Sequence, residues 1–496
     1  MRPRRGGRGI ALNWGIVLPV LGGVLVSVGL GMAVCVVVAL GYGDGGALAF
    51  GVTGAVVAAA GVLGLLAARR LEQGPLRARD GFFAVTMAWL VASVAGAVPF
   101  LLTGTFSQPV DALFESMSGF TGCGATLLPD VEAEPHAILF WRSLSHWLGG
   151  VGIVLLVVAI APATGLASQR VFFAESSGPM VERLTPRIAD TAKIIWGLYL
   201  TLTVLAGVSY LLAGMGPFDA VNHAFATVAT GGYSTRTESL GAFDSLSIEL
   251  VAIVFMALSG VNLVFYWRVL RGGPLWPQLA EVRAYGLIIL IATTLVTVSV
   301  LVAGDVASFG AALRASGFTV VSMVTSTAFI TEDFDLWNDF ARLTILGVMF
   351  VGGCAGSTSG GLKVVRIMLL GKTAGQEIRR QLQPRAIQVL RMPGRVFSED
   401  ARATVLGFFY IWVTVWAFGT LVMTAVGLDL VSSATAVAAA LNLAGAGLGQ
   451  VGAVENFAAV PSGGRVVLSA LMLIGRLEVF TVVALLMPAF WRRQWA

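Results

Sequence analysis

An all-helical protein threaded repeatedly through a membrane is the fold this sequence predicts, and three observations carry the prediction. The chain has 496 residues, of which 57% are hydrophobic and only 12% charged. Its mean hydropathy of +0.85 lies far outside the soluble range. Apolar runs of about 20 residues, long enough to cross a bilayer, recur from end to end. Length alone would allow about three soluble domains, but spans this regular argue for one transmembrane bundle.

Ten runs qualify, at 14–40, 46–68, 82–104, 143–166, 194–214, 248–267, 285–304, 341–371, 403–427 and 466–490. The first follows a basic start, MRPRRGGRGI, but its uncharged stretch from Gly9 to Gly43 is too long for a signal-peptide core. MAVC around Cys35 is a poor lipid-attachment site, so the segment reads as an uncleaved span. With the amino terminus inside, loops 69–80, 168–193, 268–283 and 363–402 and both termini hold 26 of the 32 Lys and Arg. That asymmetry orients the chain by the positive-inside rule, so the pI of 9.4 needs no nucleic acid. On the outer side lie 17 of the 27 Asp and Glu, including Asp111, Glu115, Glu332, Asp333 and Asp335. An acidic vestibule of this kind concentrates cations and repels anions.

The outward connections between spans are too apolar for ordinary loops. In order they read FTGCGATLLPD (120–130), VATGGYSTRTE (228–238), TSTAFITEDFDLW (325–337) and NLAGAGLGQVGAVENF (442–457). Each follows a short apolar or amphipathic stretch: VDALFESMSG, FDAVNHAFAT, FGAALRASGFTVVSMV and LVSSATAVAAAL. Aligned on Gly124, Gly231, Ala328 and Gly447, they predict one unit repeated four times: span, short helix, Gly/Thr strand, span. Non-helical backbone at membrane depth is tolerated only where it is buried in protein or lines a water-filled path. Four such segments around one axis therefore predict a pore, with Gly turning carbonyls toward the axis and hydroxyls of Thr126, Thr230, Ser234 and Thr327 nearby. Rings of carbonyls replace the hydration shell of a potassium-sized cation, and short-helix C-termini add partial negative charge.

With these segments in place, the sequence resembles the TrkH-type potassium uptake subunits of the Trk/Ktr/HKT superfamily over nearly its whole length. The resemblance also rests on SHWLGGVGIVLL (145–156), VGGCAGSTSGGLKVVRI (351–367) and GRLEVFTVVALLMPAFW (475–491). It implies a filter at Cys123, Gly124, Thr230, Gly231, Thr327, Ala328, Ala446 and Gly447, with potassium as the ion held there. It implies that Gly352, Gly353, Gly356, Ser357, Thr358, Ser359, Gly360 and Gly361 form a movable intramembrane loop under the filter, beside Lys363, with Arg476 as an electrostatic barrier. A packing surface of small residues is the alternative for the loop, and turn glycines in re-entrant hairpins the alternative for the filter. Ala328 stands where the family usually has Gly, so its methyl group is expected to restrict the dihedral and weaken discrimination against sodium. Ala446 stands where the family usually has Pro.

The implied organisation is a two-span extension (1–80), then units 81–193, 194–283, 284–402 and 403–496, the third including the loop and a basic linker. The resemblance further implies a bacterial inner membrane location with both termini cytoplasmic, a homodimer, and a separate cytosolic Rossmann-fold subunit, TrkA. That subunit would dock on the basic segment 372–402, which is otherwise a solvated positive-inside face. Any control by NAD or ATP/ADP would then come through the partner, since no covalent cofactor and no GxGxxG in a strand-helix context is read here.

The remaining motifs are bland. Cys35, Cys123 and Cys354 show neither metal nor disulfide spacing. Asn222 and His223 are expected to open the second short helix, and His136 and His146 to flank the fourth span as satisfied interfacial residues. GKT at 371–373 fails as a P-loop because its earlier Gly would be position 366, which is Arg. Glu478 is expected to pair away from Arg476 or to support the bundle. No nucleophile stands with a base, so chemical catalysis is not expected. Potassium uptake through a gated filter is the leading reading, with a sodium-permeable channel and a non-conducting membrane enzyme or sensor as its rivals.

Overall fold

The computed structural model describes residues 12–71, 77–150, 152, 188–273, 275–383, 391–392, 395–396 and 399–491. These are helical apart from connections and one two-residue antiparallel pair, Arg391–Met392 with Arg395–Val396. Two long helices, α1 (Trp14–Tyr42) and α2 (Ala47–Ala68), come first and pack on each other. A Cβ on Gly22 would stand 2.7 Å from the Gly61 carbonyl oxygen, and one on Gly61 2.6 Å from that of Gly22. Only glycine on both sides permits this approach.

A four-part order then recurs along the chain. A long helix leads to a short one, an irregular connection follows, and a second helix returns. The first set is α3 (Ala78–Leu102), α4 (Pro109–Thr121) and α5 (His136–Gly150). The second is α6 (Ile188–Leu212), α7 (Pro217–Val228), α8 (Leu246–Ser259) and α9 (Leu263–Arg271). The third is α10 (Trp276–Ala303), α11 (Phe309–Val324), α12 (Asp339–Val351) and α13 (Val364–Leu382). The fourth is α14 (Glu399–Val426), α15 (Leu430–Asn442), α16 (Ser462–Arg476), α17 (Phe480–Leu486) and α18 (Pro488–Trp491).

Local chemistry starts each short helix. Pro occupies the first turn of α4 and α7, where a missing N–H costs nothing. Ser308 and Asp429 cap α11 and α15 by accepting from Ala311 N and Ser432 N. All four starts agree with the short stretches expected from sequence.

Among the described residues, six helices are long and apolar enough to cross a membrane, and they account for six of the ten expected spans. The other four are the returning helices, and the structure revises three of them. Span 143–166 is seen as helix only to Gly150, its remainder lying outside the described residues. Span 248–267 bends by 86° between α8 and α9. Span 341–371 is interrupted by residues 352–363, and span 466–490 breaks at Leu477–Val479. Leu212 and Val302, each 84% exposed, lie on faces suited to lipid rather than water.

Candidate functional site

The four irregular connections share a backbone pattern. Gly122 and Gly124 have positive φ in the first, Thr230 and Gly232 in the second, Ser326 and Ala328 in the third, and Leu443 in the fourth, two residues before Gly445. This register pairs Gly124 with Gly232, Ala328 and Gly445. It corrects the sequence alignment, in which Gly231 and Gly447 held those places. Gly447 instead donates its N–H to Val451 O at 2.7 Å, beyond the shared pattern.

The connections meet edge to edge. A Cβ on Gly124 would strike the Gly231 carbonyl, one on Gly232 the Thr327 carbonyl, and one on Gly445 would lie 2.7 Å from Cys123 O. Ala328, Ala446 and Leu448 share one apolar cluster across the remaining side. Cys123, Gly124, Thr230, Gly231, Thr327, Ala328, Ala446 and Gly447 are thus gathered in one region, although Ala446 and Gly447 each lie two residues later in register than expected. Ala328 holds φ +58°, the left-handed region that Gly124 and Gly232 also occupy. The expected restriction by its methyl group does not displace the backbone, and the cost is instead a left-handed alanine, about 1–2 kcal/mol.

Directly against the ends of the short helices lies the loop 352–363. The Thr358 hydroxyl donates to Val228 O at 3.1 Å, at the end of α7, and lies 3.3 Å from Ser259 O, at the end of α8. Thr230 donates to Thr358 Oγ1 at 3.3 Å. Gly360 N donates to Ser326 Oγ at 2.6 Å, and Gly360 sits so near the Asn442 carbonyl that a Cβ there would collide with it. Gly352, Gly356, Gly361 and Lys363 all have positive φ. Gly353 packs against Gly260, whose carbonyl accepts from Cys354 N at 2.8 Å. Ser357 Oγ donates to Cys354 O at 2.7 Å, and Lys363 Nζ donates to Ser359 O.

Two further groups hold this loop. Arg476 donates to Thr358 O at 3.3 Å, to Gly149 O and to Gly150 O at 2.7 Å. Glu281 on α10 accepts from Ala355 N at 2.7 Å and Val365 N at 3.2 Å, joining the loop to the start of α13. Glu478 pairs with Arg366, away from Arg476 as expected, and Arg366 lies 4.0 Å over the Phe408 ring. A cavity of about 20 Å³, room for roughly one water, is lined here by Ser359, Gly360, Lys363, Leu443, Arg476 and Glu478 among others.

Sequence reasoning missed several residues. Asn222 and His223 lie in the middle of α7 and are buried, not at its start. His146 is wholly buried, stacks on Tyr233 with ring centroids 4.0 Å apart, and leaves no room for a side chain on Gly231. Neither of its ring nitrogens has a hydrogen-bond partner among the described residues, contrary to the expected satisfied histidine. Glu115 was placed in an acidic outer vestibule but forms a buried pair with Arg142, Nε to Oε1 at 2.9 Å. Removing one member of such a pair costs about 3–5 kcal/mol. An ionisable residue inside a short apolar helix was the available signal. Glu281 carried none, being one acid among the charges before a span.

Comparison with known proteins bears on this arrangement. The model of the family described as TrkH, cation transport protein, matches residues 50–272 and 278–492. The Trk system potassium uptake protein TrkH of Escherichia coli (strain K12) is 40% identical over 463 residues, covering 92% of this chain and 94% of that protein. The TrkH protein of Halomonas elongata is 38% identical over 483 residues, covering 96% and 99%. The crystal structure of the potassium transporter TrkH from Vibrio parahaemolyticus superposes with a TM-score of 0.86 at 37% identity, covering 97% of this chain and 99% of that one.

Proposed function

The chain belongs to the TrkH family of cation transport proteins, and we propose that it takes up potassium across the bacterial inner membrane through a filter built by its four irregular connections. Gly124, Gly232, Ala328 and Gly445 would mark the four walls of that filter, with neighbouring carbonyls replacing water around the ion. The observation that carries the reading is the loop 352–363, hydrogen-bonded against the second of those walls at Val228 and Thr230 and against the third at Ser326. A Gly-rich segment in that place acts as a gate, and the guanidinium of Arg476 beside it repels cations while the gate is shut. The basic loops support a cytoplasmic position for both termini. The membrane potential then drives uptake by about 2.3 kcal/mol per charge per 100 mV.

A cytosolic nucleotide-binding partner on the basic segment 372–402, and pairing of two chains, complete the proposal. That relatives are named as proteins of a Trk system supports a partner component. The family transports cations, so the reading involves no chemical catalysis.

The test is ion flux into proteoliposomes holding the purified chain, with potassium and sodium compared and Ala328→Gly beside the parent. Potassium flux well above sodium supports the proposal, and absence of flux for both ions refutes it. The left-handed Ala328 gives a specific reason to weigh sodium permeation. Comparable sodium flux in the parent, narrowed toward potassium in Ala328→Gly, would establish that second reading.

A further inference from the structure

Among the described ion pairs, Arg142–Glu115 is the one whose two side chains are both essentially sealed from solvent, at 2% and 0% exposure. It caps no helix terminus. Its hydrogen bonds go instead to the backbone and hydroxyls just after Gly124 and Gly232. Glu115 Oε1 accepts from Thr126 Oγ1 at 2.9 Å as well as from Arg142 Nε, and Oε2 accepts from Leu127 N at 2.9 Å. Arg142 Nη2 donates to Thr126 Oγ1 at 3.1 Å, and Nη1 reaches across to Ser234 O at 3.3 Å. Its guanidinium lies 4.1 Å over the Tyr233 ring. The Tyr233 hydroxyl donates to Glu115 O at 2.9 Å and lies 3.3 Å from Ala125 O. One buried pair thus fixes residues 125–127 of the first connection and 233–234 of the second.

The register adds an independent observation. Glu115 stands to Gly124 as His223 stands to Gly232, and Thr126 to Gly124 as Ser234 to Gly232. His223 Nε2 lies 2.9 Å from Ser234 Oγ, so the contact between these two positions recurs in a neutral form. In the third and fourth connections the same places are Thr319 with Ile330 and Ala436 with Gly447. Those pairs have no polar side chain at the second position. A side-chain contact between these two positions therefore belongs to the first two walls, and the charged brace to the boundary between them; the third and fourth are held from other positions, Ser322 donating to Phe329 O at 2.7 Å and Thr435 accepting from Leu448 N at 3.0 Å.

We propose that Glu115, Arg142 and Tyr233 are positioning residues that set ion selectivity by holding the first and second walls at a fixed separation. The inference rests on the filter reading above. Discrimination by carbonyl spacing requires walls that do not follow a smaller ion inward, and a brace from behind supplies that stiffness. Glu115→Gln keeps the shape but replaces one accepting oxygen with a donor, so either Thr126 or Leu127 loses its acceptor. Arg142→Lys keeps charge but loses the fork that spans both connections. Tyr233→Phe removes only the hydroxyl and leaves the ring under Arg142.

The experiment measures potassium and sodium flux in proteoliposomes for the full-length parent and these three variants, with size-exclusion elution and thermal unfolding as measures of folding. The potassium-to-sodium ratio is expected to fall about tenfold in Glu115→Gln, equivalent to about 1.4 kcal/mol of discrimination, and about threefold in Tyr233→Phe. A merely structural role lowers the yield of folded protein and leaves the ratio alone. If the charge variants do not fold, Tyr233→Phe decides. A ratio within about twofold of the parent in Tyr233→Phe and in every charge variant that folds overturns the brace and leaves potassium uptake intact. A parent that passes both ions equally also overturns it, and a parent that passes neither refutes the filter reading itself.

Discussion

Gly360→Ala isolates the seat of the loop from its flexibility. Gly360 does not require positive φ, so alanine is acceptable to its backbone, and the conflict is purely spatial. The new Cβ would overlap the Asn442 carbonyl oxygen and stand 2.8 Å from its carbon and 3.0 Å from Leu443 Cβ. The obstacle is backbone at the end of α15 and cannot swing aside. The loop must withdraw, and withdrawal breaks the Gly360 N to Ser326 Oγ hydrogen bond of 2.6 Å. Overpacking of one methyl costs about 1–3 kcal/mol, and the lost hydrogen bond about 0.5–1.5 kcal/mol. Taking about 2 kcal/mol as the sum after relaxation, the ratio of seated to unseated loop changes about thirtyfold. Potassium flux per folded protein in proteoliposomes therefore rises, up to that factor where the parent is mostly shut. Gly371→Ala, on α13 with nothing within 4 Å of its added Cβ, is the matched control and stays at the parent rate. Folded Gly360→Ala protein with flux equal to or below the parent would refute the assignment of this loop as the gate.

Arg476→Gln removes the cation held against Thr358 O, Gly149 O and Gly150 O and is expected to raise potassium flux, read in the same assay. Glu281→Gln weakens the acceptor shared by Ala355 N and Val365 N. Hydrogen bonds to charged groups contribute about 1.5–3 kcal/mol, so flux rises while the filter's ion preference stays as it was. Asp429 tests the α15 cap: its carboxylate is held below the ordinary range chiefly by Ser432, whose N–H donates at 3.0 Å. A depressed folded pKa stabilises above the unfolded value, about 3.9, and that contribution is lost as pH falls through the lower folded value. Asp429→Ala should therefore melt earlier than the parent near neutral pH, with the difference closing in acid.

What was legible in the sequence follows from how local each signal is. Unbroken spans such as α1 and α10 are determined by apolar length, and the short helices by Pro109, Pro217, Ser308 and Asp429 at their starts. The breaks were invisible because LSGVN at 258–262 differs little from an ordinary small-residue stretch of a packed span. What bends it is tertiary: Asn262 caps α9 by accepting from Val264 N at 2.8 Å, and Gly260 gives its carbonyl to the loop. The register failed for a related reason. In GAGLG the glycines 445, 447 and 449 are equivalent as letters, and the left-handed positions beside them are filled by Thr230, Ser326 and Leu443, which composition does not mark. Packing imposes those dihedrals against local preference. His146 escaped because one histidine in a long apolar run says nothing of the glycine it meets in another connection.

The breaks and the loop also explain one another. A helix that stops inside a membrane leaves carbonyls that lipid cannot satisfy. Here those carbonyls are Gly149 and Gly150 at the end of α5 and Ser259 and Gly260 at the end of α8. Their partners are Arg476, Thr358 and Cys354 N, which belong to the loop or to the residue that holds it. Withdrawing the loop uncovers the Ser259 and Gly260 carbonyls, and a buried acceptor left bare costs about 1–3 kcal/mol. Water is the substitute that fits, and the 20 Å³ cavity already beside Lys363 and Arg476 is where it would enter. On the proposed reading, opening and wetting are then a single step. A shut loop keeps the path dry because it satisfies the broken helices, and an open path stays open because water takes over that task.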